Sequence, residues 1–114
     1  RALVGQGSVA LCHPVIFELG FGARSPEEYT AMMARLFEYA TMPTTDGDQR
    51  RALDIQAGLA VRSQHRAISL VDALVASVAE SRGLTILHYD ADFELIAAFT
   101  GQPQQWIVPR GAAD

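Results

Sequence analysis

Four carboxylates in this 114-residue chain stand among apolar neighbours, where acids are seldom found unless something requires them. Glu18 lies in Val15-Ile16-Phe17-Glu18-Leu19, and Asp72 in Ser69-Leu70-Val71-Asp72-Ala73-Leu74. Asp90 and Asp92 follow the apolar run 84–87; two residues apart in an extended segment, they would point to one side about 7 Å apart. Singly, each has a structural reading. Asp72 suits the third helical position behind a Ser69 cap, Asp92 a helix N-cap and Asp90 a turn. Glu18 fits none of these and needs a partner. Gathered at one place, the four have a chemical consequence: two ionised carboxylates ~4 Å apart repel by about 4 kcal/mol at an effective dielectric of ~20. Such a cluster takes up protons or recruits a cation.

The rest of the composition narrows which cation and which reaction. All nine basic residues are Arg, so phosphate-loop and Schiff-base lysine chemistry are excluded. One cysteine, Cys12, excludes an internal disulfide and a Cys-rich zinc site, and points to a reducing cytoplasm. Gly5-Gln6-Gly7-Ser8 is not a serine-hydrolase elbow. The fitting ion is hard and oxygen-loving, Mg²⁺ or Mn²⁺, and its typical chemistry at acids is hydrolysis of a phosphodiester. The net charge of −4 argues against coating nucleic acid through bulk charge but permits a local basic rim. No apolar run approaches the ~18 residues of a membrane span.

The elements that must position these acids read as one α/β domain over residues 1–114, with 49% hydrophobic and 19% charged residues. Residues 8–13 form a buried strand before Pro14, and a helix with Val15, Ile16 and Leu19 on one stripe runs to Gly20 and Gly22. Ser25-Pro26-Glu27-Glu28 reads as a capping box, with Tyr29, Met32, Met33, Leu36, Phe37 and Ala40 at helical spacing behind it. That stripe reads as core, with a Met content that would also suit a partner groove. Residues 41–45 make a weak strand interrupted by Pro43. Asp46-Gly47-Asp48 opens a helix with Ala52, Ile55, Gln56, Leu59 and Ala60 on one face. Ser69 caps a helix over residues 70–79 that is apolar nearly all round and so buried, ended by Gly83. Residues 84–87 form a strand, Phe93 begins a short helix closed by Gly101, and residues 105–108 form a last strand with Trp106 near the sheet edge. Strands alternating with helices indicate a parallel sheet, whose site lies beyond the carboxyl ends of the strands.

At these motifs the chain resembles PIN-domain ribonucleases, specifically the VapC toxins of toxin–antitoxin pairs. The resemblance rests on Pro14-Val15-Ile16-Phe17-Glu18-Leu19, Gly22-Ala23-Arg24, Gln64-His65-Arg66 and Val71-Asp72-Ala73-Leu74-Val75-Ala76. It continues through Leu87-His88-Tyr89-Asp90-Ala91-Asp92-Phe93 and Gly101-Gln102-Pro103 with Trp106, in the family's order over essentially the whole chain. It implies a PIN-like parallel sheet flanked by helices, three layers α/β/α, usually as a homodimer. It implies Mg²⁺-dependent endonucleolytic cleavage of RNA and a VapB-type antitoxin that blocks the site. Glu18, Asp72 and Asp90 take the places of metal-coordinating acids, with Asp92 a nearby acid that holds water on the metal.

The sequence departs from the family twice. No segment matches the family's first strand, which ends in a metal-binding Asp. That strand is central, so residues 1–114 read as N-terminally truncated, with a split sheet, low stability and no activity in isolation. His88 stands where many members carry Ser or Thr, and is given no catalytic role. Arg24, Arg62, His65 and Arg66 are candidates for a rim that grips the RNA backbone, or simply solvated loop residues. The alternative to a ribonuclease is a non-catalytic PIN-like fragment that only binds a protein partner; a DNA or flap nuclease is disfavoured by small size and the lack of a basic stripe.

Overall fold

The computed structural model describes residues 2–5, 8–88 and 92–106. Five strands and five helices follow one another along them: β1 (Ala2–Gly5), β2 (Ser8–Cys12), α1 (His13–Phe21), α2 (Pro26–Leu36), β3 (Ala40–Met42), α3 (Asp46–Val61), α4 (Leu70–Ser81), β4 (Thr85–His88), α5 (Asp92–Thr100) and β5 (Gln104–Trp106). The sheet order is β3-β2-β1-β4-β5. β2 pairs parallel with β3, and β4 with β5. The helices flank this sheet, α1 against β2, α4 against β4 and α5 against β5.

The central position corrects one expectation. The sheet is not split: β1 lies between β2 and β4, antiparallel to both, with Leu3 opposite Ala10 on one side and Ile86 on the other. β2 and β4 therefore run the same way, and β1 alone is reversed. Only two residues separate β1 from β2 in the sequence, and so short a link joins antiparallel strands only. Each parallel connection instead has a helical crossover long enough to return the chain. Periodicity does not mark so short a segment as a strand, which is why residues 2–5 escaped the sequence reading.

Helix boundaries follow their local chemistry. Pro14 occupies the first turn of α1, and the helix ends one residue before Gly22. Ser25 caps α2, but this helix stops at Leu36, and Ala40 belongs to β3. The Tyr29, Met32, Met33, Leu36 stripe is core only in part: α2 has no fully buried residue, but Met33 and Leu36, half-buried, pack against the core. It touches α1 through Gly20, where a Cβ would meet Met33 Cε at 2.6 Å. That close approach leaves the rest of the stripe half-exposed. Gly83, at φ +63°, follows α4 in the left-handed region that glycine enters without strain, and Leu84 N–H closes back onto Ala79 O at 2.9 Å.

The core is built around α4, which buries Asp72, Ala73, Val75, Ala76, Ser77, Val78 and Ala79. Cys12, Val15 and Ile16 meet it from β2 and α1, Ile55 and Leu59 from α3, Ile86 from β4, and Phe93 and Ile96 from α5. Its one wholly buried hydroxyl, Ser77, donates back to Ala73 O at 3.0 Å. Gln102, also buried, donates to Ala76 O at 2.9 Å and so ties the start of β5 to the middle of α4. Polar groups this deep need such partners.

A polar clasp fixes the far end of α4 against α3. Thr45 and Asp48 close a reciprocal box at the start of α3, with Asp48 N–H on Thr45 Oγ1 and Thr45 N–H on the Asp48 carboxylate. The same carboxylate, 3% exposed as a residue, accepts from Ser81 Oγ at 2.8 Å and from Arg82 at 3.2 Å. Arg82 also donates to Pro43 O. Burial pushes the Asp48 pKa up, but the Thr45 backbone, the Ser81 and Thr45 hydroxyls and Arg82 together outweigh it, leaving the group below its ordinary value. One turn along, Arg51 and Glu80 form a two-bond pair at 2.7 and 3.0 Å, with the guanidinium over the Phe99 ring. The sequence marks the helix start at Asp46, but the Thr45 cap replaces the end of the expected strand 41–45, and the partners of Asp48 on α4 lie more than thirty positions away.

Candidate active site

Asp72 occupies the first turn of α4, three residues after its N-cap. Ser69, extended at φ −85° and ψ 159°, accepts the Asp72 N–H on Oγ at 3.1 Å. A carboxylate there sits at the positive end of the helix dipole. Yet Asp72 is 1% exposed, far more buried than a solvated helix start requires. The cap bond runs to its backbone, so capping alone does not account for a buried acid at this point.

Glu18 approaches from α1. It is half-buried, behind Phe17 and ahead of Leu19, both of which are exposed. The Pro14 start sets the phase of α1: Val15 and Ile16 go into the core, and Phe17, Glu18 and Phe21 go to a groove of about 990 Å³. The opposite wall of this groove is Ser69, Leu70, Val71, Ala73 and Leu74 of the α4 start, with Gln49, Leu53 and Gln56 of α3 completing it. Glu18 and the turn that carries Asp72 thus face one space, though they are more than fifty positions apart in sequence. The groove is otherwise strongly apolar.

Asp92 is the first residue of α5 rather than a cap ahead of it, and is half-buried. Asp90 lies outside the described residues. Among the described residues no three His, Cys, Asp or Glu side chains gather closely enough to hold a metal. Glu18 and Asp72 offer carboxylate oxygens only, the donor type of a hard divalent cation. The chain's one thiol, Cys12, is buried in the core. The donor chemistry suits a hard divalent cation, with Glu18, Asp72 and Asp92 as its described members.

Three of the four proposed RNA-contacting residues share a loop. Arg62, His65 and Arg66 are all exposed in the segment between α3 and Ser69. That segment turns off α3 at Ser63, a non-glycine residue at φ +57°, with Gln64 N–H on Leu59 O at 2.8 Å. The loop then runs directly into the cap of α4, a few residues ahead of Asp72. Arg24 is exposed in a separate turn after α1. His88 lies in β4, its backbone in register with Trp106 of the edge strand β5. Among the described residues no helix is long and apolar enough to cross a membrane.

Comparison with known proteins adds an independent line. A family model described as PIN domain matches residues 1–98. Ribonuclease VapC51 of Mycobacterium tuberculosis (strain ATCC 25618 / H37Rv) is 46% identical over 112 residues, covering 98% of this chain and 81% of the relative. Ribonuclease VapC21 of Mycobacterium tuberculosis (strain CDC 1551 / Oshkosh) is 38% identical over 114 residues, 97% of this chain and 81% of the relative. Ribonuclease VapC18 of strain ATCC 25618 / H37Rv is 34% identical over 112 residues, 96% of this chain and 82% of the relative.

Proposed function

The chain belongs to the PIN-domain family, as a relative of VapC ribonucleases, and from that premise we propose that it is a Mg²⁺-dependent endoribonuclease toxin, neutralised by a VapB-type antitoxin. The observation that carries the reading is the groove joining Glu18 to the capped turn of Asp72. Glu18 lines this groove, and Ser69 to Val71, Ala73 and Leu74 line it on either side of the buried Asp72; acids brought to one helix start are what metal-assisted hydrolysis of a phosphodiester uses.

In this reading Glu18, Asp72, Asp90 and Asp92 hold the metal, with Mn²⁺ able to replace Mg²⁺. When bound, the ion supplies charge neutralisation at the scissile phosphate and an activated water. The chain's own groups do the rest. The α4 dipole and the Ser69 cap hold Asp72 in place. Arg62, His65 and Arg66, with Arg24 from the neighbouring turn, bind the RNA backbone; these contacts give affinity and register rather than sequence choice. Because their loop leads straight into Ser69, backbone gripped there is delivered beside the first turn of α4. Residues 1–114 form one PIN-like domain, and the protein works in the cytoplasm, as a homodimer, on RNA.

The test is Asp72→Asn in the complete protein, which keeps shape and the Ser69 cap but removes the charge. The expected outcome is loss of Mg²⁺-dependent RNA cleavage with the circular dichroism spectrum unchanged. Undiminished cleavage would remove Asp72 from the mechanism.

A further inference from the structure

Three helices in this chain open with a hydroxyl cap three residues ahead of an acid, and the caps differ in what they hold. At α3 the box is reciprocal, and the Asp48 carboxylate is taken up by Thr45 N–H and the clasp to α4. At α2, Ser25 Oγ accepts the Glu28 N–H at 3.1 Å on a helix with no buried residue. At α4, Ser69 Oγ accepts the Asp72 N–H at the same 3.1 Å, but the acid behind it is 1% exposed and the helix carries the core. The α2 and α4 bonds match in type and length, and only one of them ends on a buried acid.

We propose that Ser69 is a positioning residue for Asp72: through the Asp72 N–H, its hydroxyl sets where the buried carboxylate stands beneath the groove that Ser69 and Glu18 line. The inference rests on the ribonuclease reading given above. Ser69 is the last extended residue before the helix, so it decides where the first turn begins. Fraying of that turn moves the Asp72 backbone directly. In a packed interior the carboxylate cannot recover its place by a solvent-side rotamer change. Ser69 itself lines the groove together with Glu18, so the cap lies at the site it orders. A displacement of about 1 Å at a reacting centre costs on the order of 10²-fold in rate. Losing a group that orients a metal ligand typically costs about 10–100-fold in metal affinity.

The experiment compares Ser69→Ala with Ser25→Ala, which removes an equivalent bond away from the acids, and with Ser69→Thr, which keeps the hydroxyl. Ser69→Gly, tolerated at caps, also removes the hydroxyl and serves if Ser69→Ala does not fold. The readouts are Mn²⁺ affinity of the protein by calorimetry, kcat and KM on single-stranded RNA, and melting temperature. Both Ala variants are expected to melt lower by a similar amount, roughly 4–8 °C. Ser69→Ala is expected to lose about tenfold or more in Mn²⁺ affinity and on the order of 10²-fold in kcat with KM little changed. Ser69→Thr restores both, and Ser25→Ala changes neither. Equal metal affinity and kcat in Ser69→Ala and Ser25→Ala overturns the proposal and leaves the cap merely structural. If Asp72→Asn is inactive while Ser69→Ala cleaves normally, Ser69 alone loses its role. If Asp72→Asn itself binds Mn²⁺ and cleaves like the wild type, the ribonuclease reading at Asp72 fails, and the role of Ser69 with it.

Discussion

Arg82→Ala isolates the clasp that holds the far end of α4. The substitution leaves the Asp48 carboxylate, 4% exposed as a side chain, without the cation at 3.2 Å, and also removes the bond to Pro43 O. Breaking a fully buried ion pair costs about 3–5 kcal/mol, because the surviving charge stays desolvated. Arg82 is 22% exposed, and Asp48 keeps its bonds from Thr45 and Ser81, so the loss falls below that range, to about 2–3 kcal/mol. The pH dependence has a definite sign. Asp48 lies below its ordinary carboxylate value when folded, so its contribution is fully present above the unfolded pKa and fades as pH falls through the folded one. Removing Arg82 takes away one of the lowering influences, so the variant's deficit is largest near neutral pH and shrinks in acid. Urea denaturation followed by circular dichroism at neutral and acidic pH measures both effects. Adding Asp48→Asn to Arg82→Ala removes the stranded charge and should recover part of the loss. A neutral-pH loss under about 0.5 kcal/mol, the range of an ordinary surface substitution, would refute the reasoning, as would strict additivity in the double variant.

Two further substitutions test the packing and the turn that feed the site. A Cβ at Gly58 would fall 2.6 Å from Phe99 Cδ1 and closer still to the rest of the ring edge, so Gly58→Ala must drive the ring off α3 and away from Arg51. Overpacking of about 1–3 kcal/mol outweighs the roughly 1 kcal/mol helix-propensity gain of Ala, and a lower melting temperature is expected; a higher one contradicts the close approach. Ser63→Gly relieves a non-glycine residue at φ +57° and is expected to raise stability by up to about 1 kcal/mol. A loss of that size in thermal unfolding would show that Ser63 holds the turn by its side chain.

The local parts of the fold were legible because their causes are local. Pro14, Ser25, Asp46, Ser69, Gly83 and Gly101 start or stop their elements within a residue or two of where the sequence places them. The apolar helix 70–79 is the buried centre it reads as. What the sequence hides is non-local. The burial of the α2 stripe depends on what packs over it, and the place of residues 2–5 between β2 and β4 depends on which strand edges stand open. The Asp48–Ser81–Arg82 clasp joins positions that no periodicity links. At the candidate site, Glu18 and Asp72 are conspicuous as acids in apolar runs, but that Glu18 faces the groove lined by the residues flanking Asp72 comes from α1 packing on α4. Asp90 lies outside the described residues.

The central claim is that buried and half-buried carboxylates from separate helices hold one hard cation. Calorimetric titration of the protein with Mn²⁺, in parallel with Asp72→Asn, tests it most directly. The expected result is saturable uptake by the wild type at or below millimolar concentration, and loss of that uptake in Asp72→Asn with an unchanged circular dichroism spectrum. Absence of uptake by the folded wild-type protein, or identical uptake by the two, would contradict it.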